Sequence, residues 1–150
     1  MMASPTDDAA RQVLMLGLGG ELFAIDAGIV REILDPVPVT EVPGARPFVN
    51  GVVNVRRKVV PLADLRLRFG MPPKANTIDT RIVVVEIELD GYPTPVGLLA
   101  DKVYEVGELG AASTEEAPPI GMRWPPEFVR GIGKRRDDFV IVPDINRLFV

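Results

Sequence analysis

Four aspartates in this chain each close an apolar run: "FAID" ends on Asp26, "PLAD" on Asp64, "LLAD" on Asp101 and "IVPD" on Asp144. Grouped carboxylates can hold a divalent cation or divide acid and base roles, so a small metal-dependent enzyme using these aspartates is one reading. The other is structural. A carboxylate where a strand hands over to a turn or helix accepts hydrogen bonds from the backbone N–H groups just downstream. The four stand in matched positions of two similar halves, as capping residues would, and the structural reading is preferred. Other chemistry is poorly supplied. Histidine and cysteine are absent, which removes a Ser-His-Asp triad, thiolate metal sites, cysteine nucleophiles, disulfides and a phosphoaccepting histidine. Ser4 and Ser113 lie in polar segments with no nucleophile-elbow pattern. "GLGGEL" has Leu22 where a dinucleotide loop needs its third glycine, so a glycine hairpin turn is expected there. No catalysis, metal or cofactor is expected.

The basic triplet Arg56–Arg57–Lys58 lies between Val-rich runs. It reads either as a solvated turn that guards a strand edge or as a protein-docking hot spot, an arginine fork beside exposed valines. Its composition leaves both open. A net charge of −4 and a pI near 4.9 argue against nucleic acid as a partner. The longest apolar run, Ile82–Val85, is far too short for a membrane span. The N-terminus lacks a basic region followed by an apolar one, so the cytoplasm is the expected location.

The elements that carry these residues come twice. "FVNGVVNVRRKVVPLADLRLRFG" and "FVRGIGKRRDDFVIVPDINRLFV" align at an offset of 80 residues, as from Gly51 to Gly131, placing Asp64 on Asp144 and Phe69 on Phe149. A looser match sets "ELFAIDAGIVREI" against "TPVGLLADKVYEV", with Asp26 on Asp101. This is an internal duplication, with copies around 12–75 and 80–150 after a flexible tail at 1–11. Each copy reads as short strands. "GVVNV" and "KVVPLAD" predict a hairpin pivoting at Arg56–Arg57, Asp90–Gly91 turns a second and Gly19–Gly20 a third. Gly51 and Gly131, where the chain enters a strand, suit unusual backbone angles or the close approach of another chain. Pro61 places its strand at a sheet edge or near its own end. "AGIVREIL" and "ADLRLRFG" predict short helices capped by Asp26 and Asp64, and Trp124 is expected to staple a Pro-rich loop to the body. Fifteen prolines and fourteen glycines favour strands and turns over long helices, so two small antiparallel barrels side by side are expected.

At "FVNGVVNVRRKVVPLADLR" the chain resembles the CheW-like coupling proteins of bacterial chemosensory arrays. Phe48, Gly51, Val52, Asn54, Arg56, Val60, Pro61, Asp64, Leu65 and Arg66 fill the family's core signature. "LGGELFAIDAGIVREIL", "PVGLLADKVYEV" and "FVRGIGKRRDDFVIVPDINRLF" resemble its other blocks, so the likeness runs over residues 12–150. It implies an all-β fold with short helices: two tandem SH3-like five-stranded barrels sharing a hydrophobic core. It also implies a non-catalytic adaptor between chemoreceptors and a CheA-type histidine kinase, without cofactor, nucleic acid or membrane insertion. The implied receptor contacts, with the tip of the receptor's cytoplasmic helical hairpin, are Val30, Glu32, Ile33, Gly51 and Arg56. The implied contacts with the kinase's regulatory domain are Arg57 and the strand starting at Ile82. Other CheW-like adaptors are further implied partners. The family usually has glycine where this chain has Arg57, which would retune the turn or the choice of partner. An adaptor of a non-motility chemosensory pathway is the alternative.

Overall fold

The computed structural model describes residues 11–44, 49–72, 74–109, 126–135 and 138–149. The expectations for Ser4, Phe48, Ser113, Trp124 and all but the last residue of the tail fall outside these. Ten strands run in the order β1 (Arg11–Leu18), β2 (Glu21–Asp26), β3 (Val30–Leu34), β4 (Val49–Val55), β5 (Lys58–Asp64), β6 (Arg81–Leu89), β7 (Tyr92–Ala100), β8 (Lys102–Leu109), β9 (Val129–Arg135) and β10 (Asp138–Pro143). One-turn helices follow β5 and β10: α1 (Leu65–Arg68) and α2 (Ile145–Leu148).

The strands form two five-stranded sheets, β8-β1-β2-β10-β9 and β3-β6-β7-β5-β4. The fold is therefore mostly β, as the sequence predicts. Two details differ. Each sheet is mixed rather than antiparallel, because β10 pairs parallel with β2 and β5 parallel with β7. The two sequence copies also do not each build their own sheet. The first sheet takes β1 and β2 from the first copy and β8–β10 from the second, while the second sheet takes β3–β5 and β6–β7. The halves are exchanged across the sheets, a relation no local pattern encodes.

This arrangement explains why the run Ile82–Val85 of "RIVVVEIEL" lacks polar alternation. Side chains on a strand point alternately to opposite faces, and here both faces are dry. Val83, Val85 and Ile87 join Leu14, Leu16, Leu18, Phe23, Val96 and Leu98 in the core between the sheets. Ile82 and Val84 point the other way, into the hollow of their own sheet, with Val53, Val55, Val60, Leu62 and Leu99. Leu34 of one edge strand packs onto that same cluster, so the sheet bends until its two edges share an interior. The first sheet has its own cluster of Val13, Met15, Ala24, Leu109 and Val140. At the join, Phe69 packs on Phe23 with ring centroids 5.3 Å apart and meets Phe128 edge-on at 6.3 Å.

"AGIVREIL" is not a helix. Asp26 caps only one 3₁₀ turn, Ala27–Ile29, and the chain then becomes β3, whose Val and Ile pair with β6. Pro61 is not on an edge strand, since β5 lies between β7 and β4. Val52, its partner on β4, turns both backbone groups towards Thr40, so Pro61 faces β7 just before that ladder begins at Leu62. No N–H is missed there.

A candidate docking surface

Among the described residues, three hairpins turn through two residues that both have positive φ: Gly19–Gly20 (60° and 82°), Asp90–Gly91 (53° and 84°) and Arg56–Arg57 (51° and 69°). This is the tight turn whose twist matches that of the strands, and it usually takes glycine. The third turn holds two arginines in that conformation. Asn54 supports it by accepting the Arg57 backbone N–H at 3.0 Å. The cost of the turn fixes where the Arg56 side chain starts, at the end of the β4–β5 hairpin.

Arg56 reaches back to β3. Its Nε lies 3.0 Å from both carboxylate oxygens of Glu32. The hydrogen bond and the charge of Glu32 raise the Arg56 pKa above its ordinary value. Because β3 and β4 are opposite edges of one sheet, this contact ties those edges together at the surface. The Arg56 side chain stays 80% exposed. An exposed pair of this kind adds little to stability, whereas its oriented charges remain available to a partner.

The structure treats the other implied receptor residues unequally. Ile33 is 43% exposed and, in register with Val83, lies on the face of β3 opposite Glu32, which is in register with Val84. Val30 is half-buried and packs on the core between the sheets. Gly51 is buried with φ 148°, and a Cβ there would collide with the Thr40 carbonyl oxygen. The unusual backbone angle is as the sequence predicts; the close approach comes from residues 39–40 of this same chain, and Gly51 offers no side chain to a partner.

Of the two implied kinase residues, Arg57 lies exposed at the hairpin tip, near Val59, which is 69% exposed. Ile82 is a correction. It is 1% exposed, and its strand is covered on both sides by β3 and β7. Its side chain is committed to the hollow of the second sheet. The residue that sequence reasoning passed over is Asn54, whose side chain holds the turn; its place two residues before Arg56 was the available signal.

The four aspartates are structural. Asp26 accepts the Gly28 N–H at 2.8 Å, Asp64 the Arg66 N–H at 3.0 Å and Asp144 the Arg147 N–H at 3.3 Å. Asp101 accepts the Gly19 N–H at 2.8 Å and pairs with buried Arg66, whose Nε is 2.8 Å away. Burial pushes the Asp101 carboxyl up, but the Arg66 and Gly19 hydrogen bonds, with the charges of Arg66 and Lys74, outweigh it and hold its pKa below the usual carboxylate range. Among the described residues no three acidic groups gather as a metal site, and no helix is long and apolar enough to cross a membrane.

Comparison with known proteins gives a consistent answer. A chemotaxis protein CheW from Klebsiella aerogenes is 29% identical over 142 residues, 95% of this chain and 83% of the relative. Protein PilI from Pseudomonas aeruginosa is 30% identical over 125 residues, 83% of this chain and 67% of the relative. The crystal structure of the scaffolding protein TtCheW from Thermoanaerobacter tengcongensis superposes with a TM-score of 0.83 at 32% identity, covering 93% of this chain and 92% of that one. The family model described as the CheW-like domain matches residues 12–150, from the first strand to the end of the chain, and the protein belongs to that family.

Proposed function

We propose that this chain is a non-catalytic adaptor that couples chemoreceptors to a CheA-type histidine kinase. The observation that carries the reading is the likeness to CheW-like scaffolds over the whole described fold, in sequence and in structure. The surface supports it: a rigid hairpin presents Arg56, paired with Glu32, on one face of the edge strand β3, and exposed Ile33 stands on the other. A helical hairpin tip set along that edge would meet the Glu32–Arg56 pair with its polar groups and Ile33 with an apolar ridge. Val30 and Gly51 then act by shaping this surface. The kinase's regulatory domain, itself CheW-like by the same family resemblance, would meet the exposed hairpin at Arg57 and Val59. Other CheW-like adaptors could dock on the same hairpin. Signalling is geometric: contacts that differ between receptor states bias the kinase. The chain would act in the cytoplasm, drawn to receptor arrays at the membrane.

Arg56→Glu puts two like charges where the pair now stands. It is expected to abolish co-sedimentation with receptor-containing membranes while leaving the urea midpoint unchanged. Undiminished co-sedimentation would remove Arg56 from the surface. The likeness to PilI, which does not carry the chemotaxis name, favours a second reading: an adaptor of a non-motility chemosensory pathway, with Arg57 altering partner choice. Titration against the regulatory region of each CheA-type kinase of the source organism separates the two, because the cognate kinase names the pathway.

A further inference from the structure

The chain passes between the two sheets at two places, through Ala27–Ile29 between β2 and β3 and through Asp101 between β7 and β8. At the first, Asp26 accepts the Gly28 N–H, inside the crossing itself. At the second, one residue reaches both sheets. The Asp101 backbone N–H donates to the Gly17 carbonyl at 2.9 Å and its Oδ2 accepts the Gly19 N–H, so it grips the β1–β2 hairpin of the first sheet. On the side of the second sheet its Oδ1 accepts from Arg66, from Nε at 2.8 Å and from a terminal nitrogen of the same guanidinium. Arg66 stands on α1, just after β5, and is 1% exposed. Its other terminal nitrogen reaches Asp64 at 3.5 Å and the Lys74 carbonyl at 3.2 Å. The Arg66 carbonyl accepts the Met71 N–H at 2.7 Å, and Met71 lies so close to Gly19 that a Cβ there would collide with its sulfur. The hairpin of one sheet and the helix of the other are thus held through a buried cation and two carboxylates.

We propose that the Asp64–Arg66–Asp101 cluster fixes the orientation of the two sheets relative to each other, and that this, not stability, is what it contributes. Apolar burial is non-directional and depends mainly on area, so the core between the sheets drives them together but discriminates weakly between nearby angles. Packed elements slide past one another by small shear steps with little loss of contact. A buried charge is less forgiving. Displacing Arg66 from Asp101 leaves both ions unpaired and out of water, so the cluster admits one arrangement only. Net stability is a different matter. The cost of drying the charges offsets most of their attraction, and neutral replacements of similar size are often as stable. Selecting a register is the best-attested use of such a cluster. Asp101 suits it by position, because it sits on the crossing and is bonded on both sides. A partner that touches both sheets then meets a single fixed geometry. The inference does not rest on the adaptor reading.

The test compares the full wild-type chain with Asp101→Asn and with a triple variant, Asp64→Asn with Arg66→Met and Asp101→Asn. Asparagine keeps an acceptor for the backbone N–H groups that the two aspartates now hold, and methionine fills the space of the arginine stem, so the triple variant strands no buried charge. Urea unfolding gives the midpoint of each form. Residual dipolar couplings of the backbone amides in a dilute alignment medium give the orientation of each sheet. Asp101→Asn, which leaves Arg66 without its nearest carboxylate, should lower the midpoint, and the triple variant should return it close to the wild-type value. One alignment tensor should fit both sheets of the wild type. In the triple variant each sheet should still fit by itself, but the two should no longer share a tensor. A shared tensor there would overturn the proposal, because the interlocked core would then set the orientation unaided. A triple variant that unfolds, or that stays as unstable as Asp101→Asn, would also overturn it, because the cluster would then serve stability.

Discussion

At Arg57 the chain places an L-residue where its hairpins at Gly19–Gly20 and Asp90–Gly91 both place glycine in the second turn position, in the same left-handed conformation. That conformation costs a non-glycine residue about 1 kcal/mol or more. Arg57→Gly is therefore expected to raise stability by about 1 kcal/mol, read as a higher urea midpoint at unchanged slope. A weaker kinase interaction in the same variant would mean that the strain is kept for the side chain's sake. Asp101 carries the second prediction at this scale. Its folded pKa lies below its unfolded one, so it contributes stability above the unfolded value, and that contribution is lost as pH falls through the lower folded value. The stability gap between the wild type and Asp101→Asn should be full at neutral pH and shrink below about pH 4, the ordinary carboxylate range. Equilibrium unfolding at a series of pH values measures it.

Gly51 shows how an element can impose a residue. Thr40 and Val52 exchange two backbone hydrogen bonds, both of 2.9 Å, which tie the segment after β3 to the outer side of β4. A side chain at Gly51 would collide with the Thr40 carbonyl and would also sit at an unfavourable φ. Gly51→Ala is expected to cost about 1–3 kcal/mol and to speed hydrogen exchange at Val52 and Thr40. If receptor binding falls with it, the loss is a displaced segment rather than a lost contact, and the exchange data separate the two. The neighbouring element β3 shows the same pressure at "AGIVREIL". Its capping aspartate is real, but the pull of β6, whose run Ile82–Val85 is apolar on both faces, overrides a weak helical signal.

On the scale of the whole molecule, the exchange of strands between halves means that neither copy contains a complete sheet. A fragment of residues 1–75 holds β1 and β2 without β8–β10, and β3–β5 without β6 and β7. It is expected to be unfolded alone by circular dichroism and NMR dispersion, and to gain structure when mixed with 76–150. The intact chain should unfold in one transition, because the core between the sheets draws on both halves. A fragment that folds independently would show that one set of strands can close on itself. The Phe69–Phe23 and Phe69–Phe128 contacts pin the same join from the helix side.

Much of this protein was legible in its sequence because the information was local. Asp-Gly and Gly-Gly between apolar runs mark hairpins, the aspartates closing apolar runs mark caps at Asp26, Asp64 and Asp144 but not at Asp101, which accepts from distant Gly19, and a repeated block marks a duplication. Gly51 was readable as a site of unusual backbone angle for the same reason, whereas the segment that closes on it was not. The absence of histidine and cysteine was enough to narrow the chemistry, and the ordered motifs pointed to the family. What the tertiary structure alone decided depends on contacts between residues far apart in the chain. These are which copy supplies which strand, that β5 and β10 pair in parallel, and that Glu32 meets Arg56 across a bent sheet. They include the sealing of Ile82 in an interior, which a strand of unbroken valines hides because both of its faces look alike in sequence. Local propensity sets turns and strands; only the packing of one sheet against the other determines which side chains remain for a partner.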